Sequence, residues 1–228
     1  QLGIPAQSHR PSRSLKDEPA TDCLLTLAKL AHPHWNLACS QAEIRQALMT
    51  AIQDLDLVRA DLLAKICFKP NRWEEGLSSF DKIQPDMQAR IGYWAGERFE
   101  NLRNWLDEYR QEIPLDLDIF LGKVFGELLS QPGYGFHSNF DASAVTARLI
   151  ESIQKFRLVV GKTIPTESGS IGKEYILMVA DGVVAAQYIQ SWESTDNGAV
   201  LVAPAYTYLM SNRITHYQFW LDIGSHGW

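Results

Sequence analysis

The sequence predicts a mainly α chain with a small α/β part, and three observations carry that reading. Apolar residues recur at helical spacing through most of residues 20–194, the stripe an amphipathic helix turns towards a core. Near the end, AVLVAPA (199–205) and HYQFWLDI (216–223) read instead as buried strands. The opening stretch QLGIPAQSHRPSRSLKDEP (1–19) fits neither pattern, being rich in turn residues and cations. A two-stranded element this apolar is unstable alone, so those strands must join others.

The elements follow in order. ATDCLLTLAKLAHP places Leu24, Leu27, Leu30 and Ala31 on one helical stripe and ends at Pro33. SQAEIRQALMTAI (40–52) opens on a capping box, Ser40 with Glu43 three residues on, and presents Ile44, Leu48 and Ile52 together. DLDLVRADLLAKICF (54–68) is a short helix. QPDMQARIGYWAGERFENLRNWLDEYRQEI (84–113) reads as the longest continuous helix, with Ile91, Tyr93 or Trp94, Arg98, Leu102, Trp105, Leu106 and Tyr109 along it. LDLDIFLGKVFGELLSQ follows Pro114 and stops at Pro132-Gly133. Asp141 is placed to cap ASAVTARLIESIQKFRLVV, GKTIPTESGSIGKE (161–174) has loop composition, and EYILMVADGVVAAQYIQSWES (174–194) makes a last long helix before the turn TDNG.

Composition excludes several function classes. The chain has 228 residues, 46% hydrophobic and 21% charged, with a formal net charge of −6, which is not the balance of a compact, strongly basic nucleic-acid-binding module. No apolar run reaches the roughly 18 residues of a membrane span, and the first residues lack the pattern of a signal peptide. Cys23, Cys39 and Cys67 match neither metal-binding pairs nor a disulfide framework, so they read as reduced core thiols of a cytoplasmic protein. A start at Gln1 and an end just past an apparent strand suggest a fragment of something longer.

The search for chemistry finds little. There is no GxxxxGK[ST] phosphate cradle. GYGFH (133–137) contains Gly-x-Gly but follows a helix, where a dinucleotide loop follows a strand. His32 and His34 flank Pro33 without a nearby Cys or carboxylate to complete a metal set, and a helix-terminal His bonding the last carbonyls explains them better. Asp54, Asp56, Asp116 and Asp118 stand at helix starts, where they complement the dipole. Trp73, Trp94, Trp105 and Trp192 fall at helical spacings and read as core; an exposed one would favour base stacking instead. Asp222 ends the last strand, with Ser225 and His226 beyond it, too close in sequence to converge as a catalytic triad. Arg10, Arg13 and Lys16 cluster before the first helix and can hold nucleic-acid phosphates, with a solvated loop as the plainer reading.

Taken together, the two ends resemble UvrD/Rep/PcrA-type superfamily-1 DNA helicases. GIPAQSHRPSRSLKDEPATDCLLTLAKLAHP (3–33) is similar to the family's Gly-Ile-Pro stretch, with Gly3-Ile4-Pro5, Arg13, Asp22, Leu24, Leu27 and Pro33 in corresponding places. EYILMVADGVVAAQYIQSW followed by AVLVAPA and YQFWLDIGS is similar to the helix, turn and strand-loop-strand that lead back into the second RecA-like motor domain. The resemblance implies a helical insertion subdomain between two segments of an incomplete RecA-like (P-loop NTPase-like) domain. Its parts would be residues 1–37, a helical insertion at 38–173, and a return helix with terminal strands at 174–228. The family's His-x-x-Lys-Gly-Leu-Glu loop is absent, Asn212-Arg213 stands at a comparable place, and no Gly-Ile-Gly turn occurs in the middle.

The implied function is that of part of an ATP-dependent helicase-related protein in DNA repair or recombination. It would offer DNA-facing and domain-motion surfaces, with Arg10, Arg13, Lys16 and Arg213 as phosphate contacts. ATP and Mg²⁺ belong to the parent; no cofactor or metal is expected here, and without Walker motifs this piece is inactive alone. DNA and the remaining motor-domain segments of the same polypeptide are the implied partners. A non-catalytic helical protein-interaction module and a small-molecule enzyme with its site near Asp222 are the alternatives.

Overall fold

The computed structural model describes residues 6–8 (backbone), 15–160, 170–182, 200–203, 208, 214–221 and 224. In chain order the elements are β1 (Ala6–Ser8), α1 (Pro19–Ala31), α2 (Gln41–Ala51), α3 (Leu57–Cys67), α4 (Pro85–Ile91), α5 (Tyr93–Tyr109), α6 (Leu117–Val124), α7 (Phe140–Val160), α8 (Ser170–Ala180) and β2 (Val200–Val202). The protein is mainly helical, as its sequence pattern predicts. No helix among the described residues is long and apolar enough to cross a membrane.

Two compact units are present: Leu15–Val184, and a second made of Gln1–Ser14 with Ala185–Trp228. The helical unit is organised on α1, which packs against α2, α5, α6 and α7. The expected stripe understates this helix, because Leu25 and Ala28 are buried along with Leu24, Leu27, Leu30 and Ala31. A helix apolar all round is a central one. It stops at His32, whose N–H reaches Ala28 O at 3.0 Å, with Pro33 next. The sequence boundary at residue 37 would separate α1 from α2, whereas the helical unit begins at Leu15 and holds both.

Local chemistry sets the other starts. Ser40 Oγ accepts from Glu43 N at 3.2 Å while the Glu43 carboxylate accepts from Ser40 N at 2.7 Å, the reciprocal box expected from the spacing. Ile44, Leu48 and Ile52 are all buried. Asp56 caps α3 by accepting from Val58 N and Arg59 N at 2.9 and 3.0 Å. Ahead of α7 the cap is Asn139, which accepts from Ala142 N at 3.0 Å, where the sequence suggested Asp141. After α6 the helix widens into a π turn over Phe125–Leu129.

The long helix expected over 84–113 is two helices. Gly92 sits at φ 92°, a conformation that ends α4 and that other residues adopt only under strain. The break re-aims α5, so its inner face is Ala95, Gly96, Phe99, Leu102, Leu106 and Tyr109, with Tyr93 and Trp94 exposed. The final helix also differs from expectation. It begins at Ser170, inside the stretch read as a loop, and α8 ends at Ala180, followed by a turn at Asp181-Gly182 with Gly182 at φ 72°. Residues 183–199, including Trp192 and the TDNG turn, lie outside the described residues.

In the other unit β1 and β2 pair in parallel, with Ala6 opposite Val200, Gln7 opposite Leu201 and Ser8 opposite Val202. The opening and closing segments thus share one ladder. The second expected strand, HYQFWLDI, is not one over its described part: residues 216–221 form no ladder, and Tyr217, Phe219 and Leu221 face solvent. A strand exists only against a neighbour that takes its hydrogen bonds. β2 bonds to β1, and the described residues supply no partner for the later run.

Candidate functional site

Of the four cations expected to hold phosphate, only Lys16 is among the described residues. It is exposed on a short 3₁₀ turn, Leu15–Asp17, that Leu15 anchors by burial in the helical unit. Arg10, Arg13 and Arg213 lie outside the described residues, as do Asp222, Ser225 and His226.

The helical unit decides several other assignments. GYGFH is a packing device. Gly135 N donates to Ala51 O at 2.8 Å, Gln53 N donates to Gly133 O at 3.2 Å, and Ile52 and Tyr134 form an antiparallel bridge. A Cβ at Gly135 would fall 2.1 Å from the Thr50 carbonyl oxygen, so the glycine admits a close backbone approach.

His32 is a structural relay. Its Nδ1 lies 2.9 Å from Ala28 O, which fixes the proton on Nδ1 and leaves Nε2 to accept from the Tyr109 hydroxyl at 2.8 Å. Tyr109 in turn accepts from Leu115 N at 3.0 Å, so one chain of bonds ties α1, α5 and the entry to α6. The ring stacks on Trp35 at 4.0 Å and meets Phe120 edge-on at 5.0 Å. Burial pushes the imidazole down to about 4, so it is neutral at pH 7.

The three cysteines are buried and free. Burial raises all three thiols, Cys39 and Cys67 to about 12, which leaves them unreactive. Among the described residues no group of three His, Cys, Asp or Glu side chains could hold a metal ion.

A shallow cleft lies between Leu30, Gly76, Leu77 and the α5 side chains Arg103, Asp107 and Arg110. Its arginines are largely engaged, although Arg110 Nη2 is buried without a hydrogen-bond partner among the described residues. Arg103 pairs with Glu100 and Asp107 at 2.8 and 2.7 Å, and Arg110 Nε donates to Leu30 O at 2.8 Å, closing off a carbonyl in the last turn of α1. Such a cleft is a seam in the fold.

What remains is a surface where α3 and α5 begin. Tyr93 and Trp94 are exposed there, the Arg59 guanidinium lies 5.9 Å over the Trp94 ring, and Leu57 and Val58 are exposed beside Arg59 in the same turn. Trp73 is buried, and Trp105 stacks on Tyr109 while donating to Glu127 at 2.9 Å. Of the three described indoles read as core, Trp94 is therefore the one that departs from that reading. The signal was readable in two adjacent aromatics, which a helix cannot turn onto one face. Arg59 answers to Asp56 at 3.3 Å, and the pair is half-exposed.

No protein-family model, no curated protein and no solved structure matches the chain.

Proposed function

We propose that this chain is part of a UvrD-like, ATP-dependent DNA helicase-related protein of the cytoplasm, acting in DNA repair or recombination. The observation that supports it is the parallel pairing of β1 with β2. A parallel pair needs a crossover between its strands, and here the crossover contains the whole helical unit. A motor-domain sheet from which a helical insertion buds requires that order. The exposed Val200 and Val202 support it too, as the apolar face of a sheet whose other strands belong to the rest of the motor domain, with Tyr217, Phe219 and Leu221 also exposed in the run that follows. In this reading ATP and Mg²⁺ are held by the parent's P-loop. Nothing in this sequence fits that role, and no step of hydrolysis is assigned to its residues. The chain contributes a DNA-facing surface, with Arg10, Arg13, Lys16 and Arg213 as phosphate contacts.

Titration of labelled DNA with the full chain at rising salt tests this. Binding should weaken linearly in log–log form, and Arg10→Ala with Arg13→Ala should lower the slope by roughly 0.7–0.9 per cation removed. Absence of binding even at low salt overturns the proposal and favours a protein-interaction module.

A further inference from the structure

The seam beside Arg110 is left open at one atom. Arg110 Nε donates to Leu30 O at 2.8 Å, but its Nη2 is buried with no hydrogen-bond partner among the described residues. The guanidinium forms no ion pair with those residues either. Asp107, the acid whose field reaches it most strongly, is held by Arg103 at 2.7 Å, and Arg103 is shared further with Glu100 at 2.8 Å. Burial pulls Arg110 below its ordinary value, though a guanidinium stays charged in a protein. Gly76, at φ 79°, lets the backbone lie against this group: a Cβ there would fall 2.6 Å from Nη1. Leu30, Leu77 and Leu106 wall the cleft, which has room for about one water-sized group. A buried donor on a charged group is costly to leave unmet, so this one calls for an acceptor.

We propose that this cleft is a seat for a small monovalent anion, chloride or one oxygen of a small carboxylate, held on the Arg110 guanidinium. The seat belongs to the helical unit alone and does not depend on the nucleic-acid reading above. An anion meets the open Nη2 with a charge-assisted hydrogen bond and compensates the guanidinium charge at the same time. Water meets the donor but leaves the charge without a counterion. Size and the neighbouring acid set the selectivity. A phosphate is larger than the space and brings up to two negative charges towards Asp107, which lines the same cleft. The bound anion would join α5 and the Gly76 turn to the last turn of α1, where Arg110 already holds Leu30 O.

Chloride-35 magnetic resonance on the full chain tests this, since a bound ion broadens the chloride line. Sodium chloride is the probe, with sodium gluconate holding the ionic strength constant. The line should broaden with protein, and Arg110→Gln should remove most of that broadening. Acetate should narrow the line again by taking the same seat, while phosphate at equal ionic strength should not. A line that acetate leaves broad and Arg110→Gln narrows assigns the seat to the halide alone. Asp107→Asn, which takes a repelling charge from the lining, should tighten chloride binding about twofold to fivefold. That variant decides the matter if Arg110→Gln, on losing its bond to Leu30 O, has lost its helicity. Absence of broadening overturns the seat, and broadening that survives in folded Arg110→Gln shows an adventitious ion only. Unchanged affinity in Asp107→Asn overturns it too, as does displacement by phosphate as effective as by acetate.

Discussion

Phe120 and Phe219 are the same side chain in two different situations. Phe120, on α6, is 0% exposed and touches the rings of His32, Trp105 and Tyr109. Phe219, in the terminal unit, is 89% exposed. The helical unit has gathered a large apolar core around one central helix, while in the terminal unit the described Val200, Val202, Tyr217, Phe219 and Leu221 face solvent. The difference is one of available partners. Helices satisfy their backbone internally and need only a face to bury, so a helical unit can close by itself. Strands need neighbours on their edges and cover on their faces, and among the described residues β1 with β2 supplies one shared edge.

That contrast can be broken by experiment, and the core is where the largest effect falls. Phe120→Ala should cost about 3–5 kcal/mol of unfolding free energy, read as a shift in the denaturation midpoint. A loss under about 1 kcal/mol would mean that the aromatic cluster is not the core it resembles.

The next effect is in acid. Unfolded, His32 takes a proton near its ordinary value of 6.5; folded, it resists until about 4. Between those values the unfolded state binds more protons, so stability is whole above pH 6.5 and falls as the pH drops towards 4. The loss is on the order of 3 kcal/mol. His32→Gln should flatten the slope across that window, and an unchanged slope would move its origin elsewhere.

Smallest is Phe219→Ala, which should change the stability of this chain by no more than about 0.5 kcal/mol. If it destabilises as much as Phe120→Ala, the terminal unit has a core of its own and the contrast disappears.

Much of the helical unit was legible because its determinants are local. The Ser40–Glu43 box, the Asp56 cap and the stop at Pro33 each depend on residues within one turn, and spacing alone reveals them. The break at Gly92 was missed because a single glycine inside a periodic run is tolerated as often as it interrupts. After the break α5 lies close against Phe80, where a Cβ at Gly96 would fall 2.3 Å from the ring. HYQFWLDI was misread for the opposite reason. Its composition suits a strand, but strand formation depends on a partner that local sequence does not specify. The candidate surface was half legible. Adjacent Tyr93 and Trp94 announce that at least one ring must leave the core, whereas Arg59 joining them from another helix is a tertiary fact.

The register of β1 against β2 sets an order of assembly. Ala6 leaves the ribosome before every helix of the larger unit, and Val200 follows only after they have been made. Closing so long a loop carries a large entropic cost, while helices with nearby partners can settle as they emerge. The first strand therefore waits for its partner while the helices between them are made, and the ladder they form comes after the helical unit.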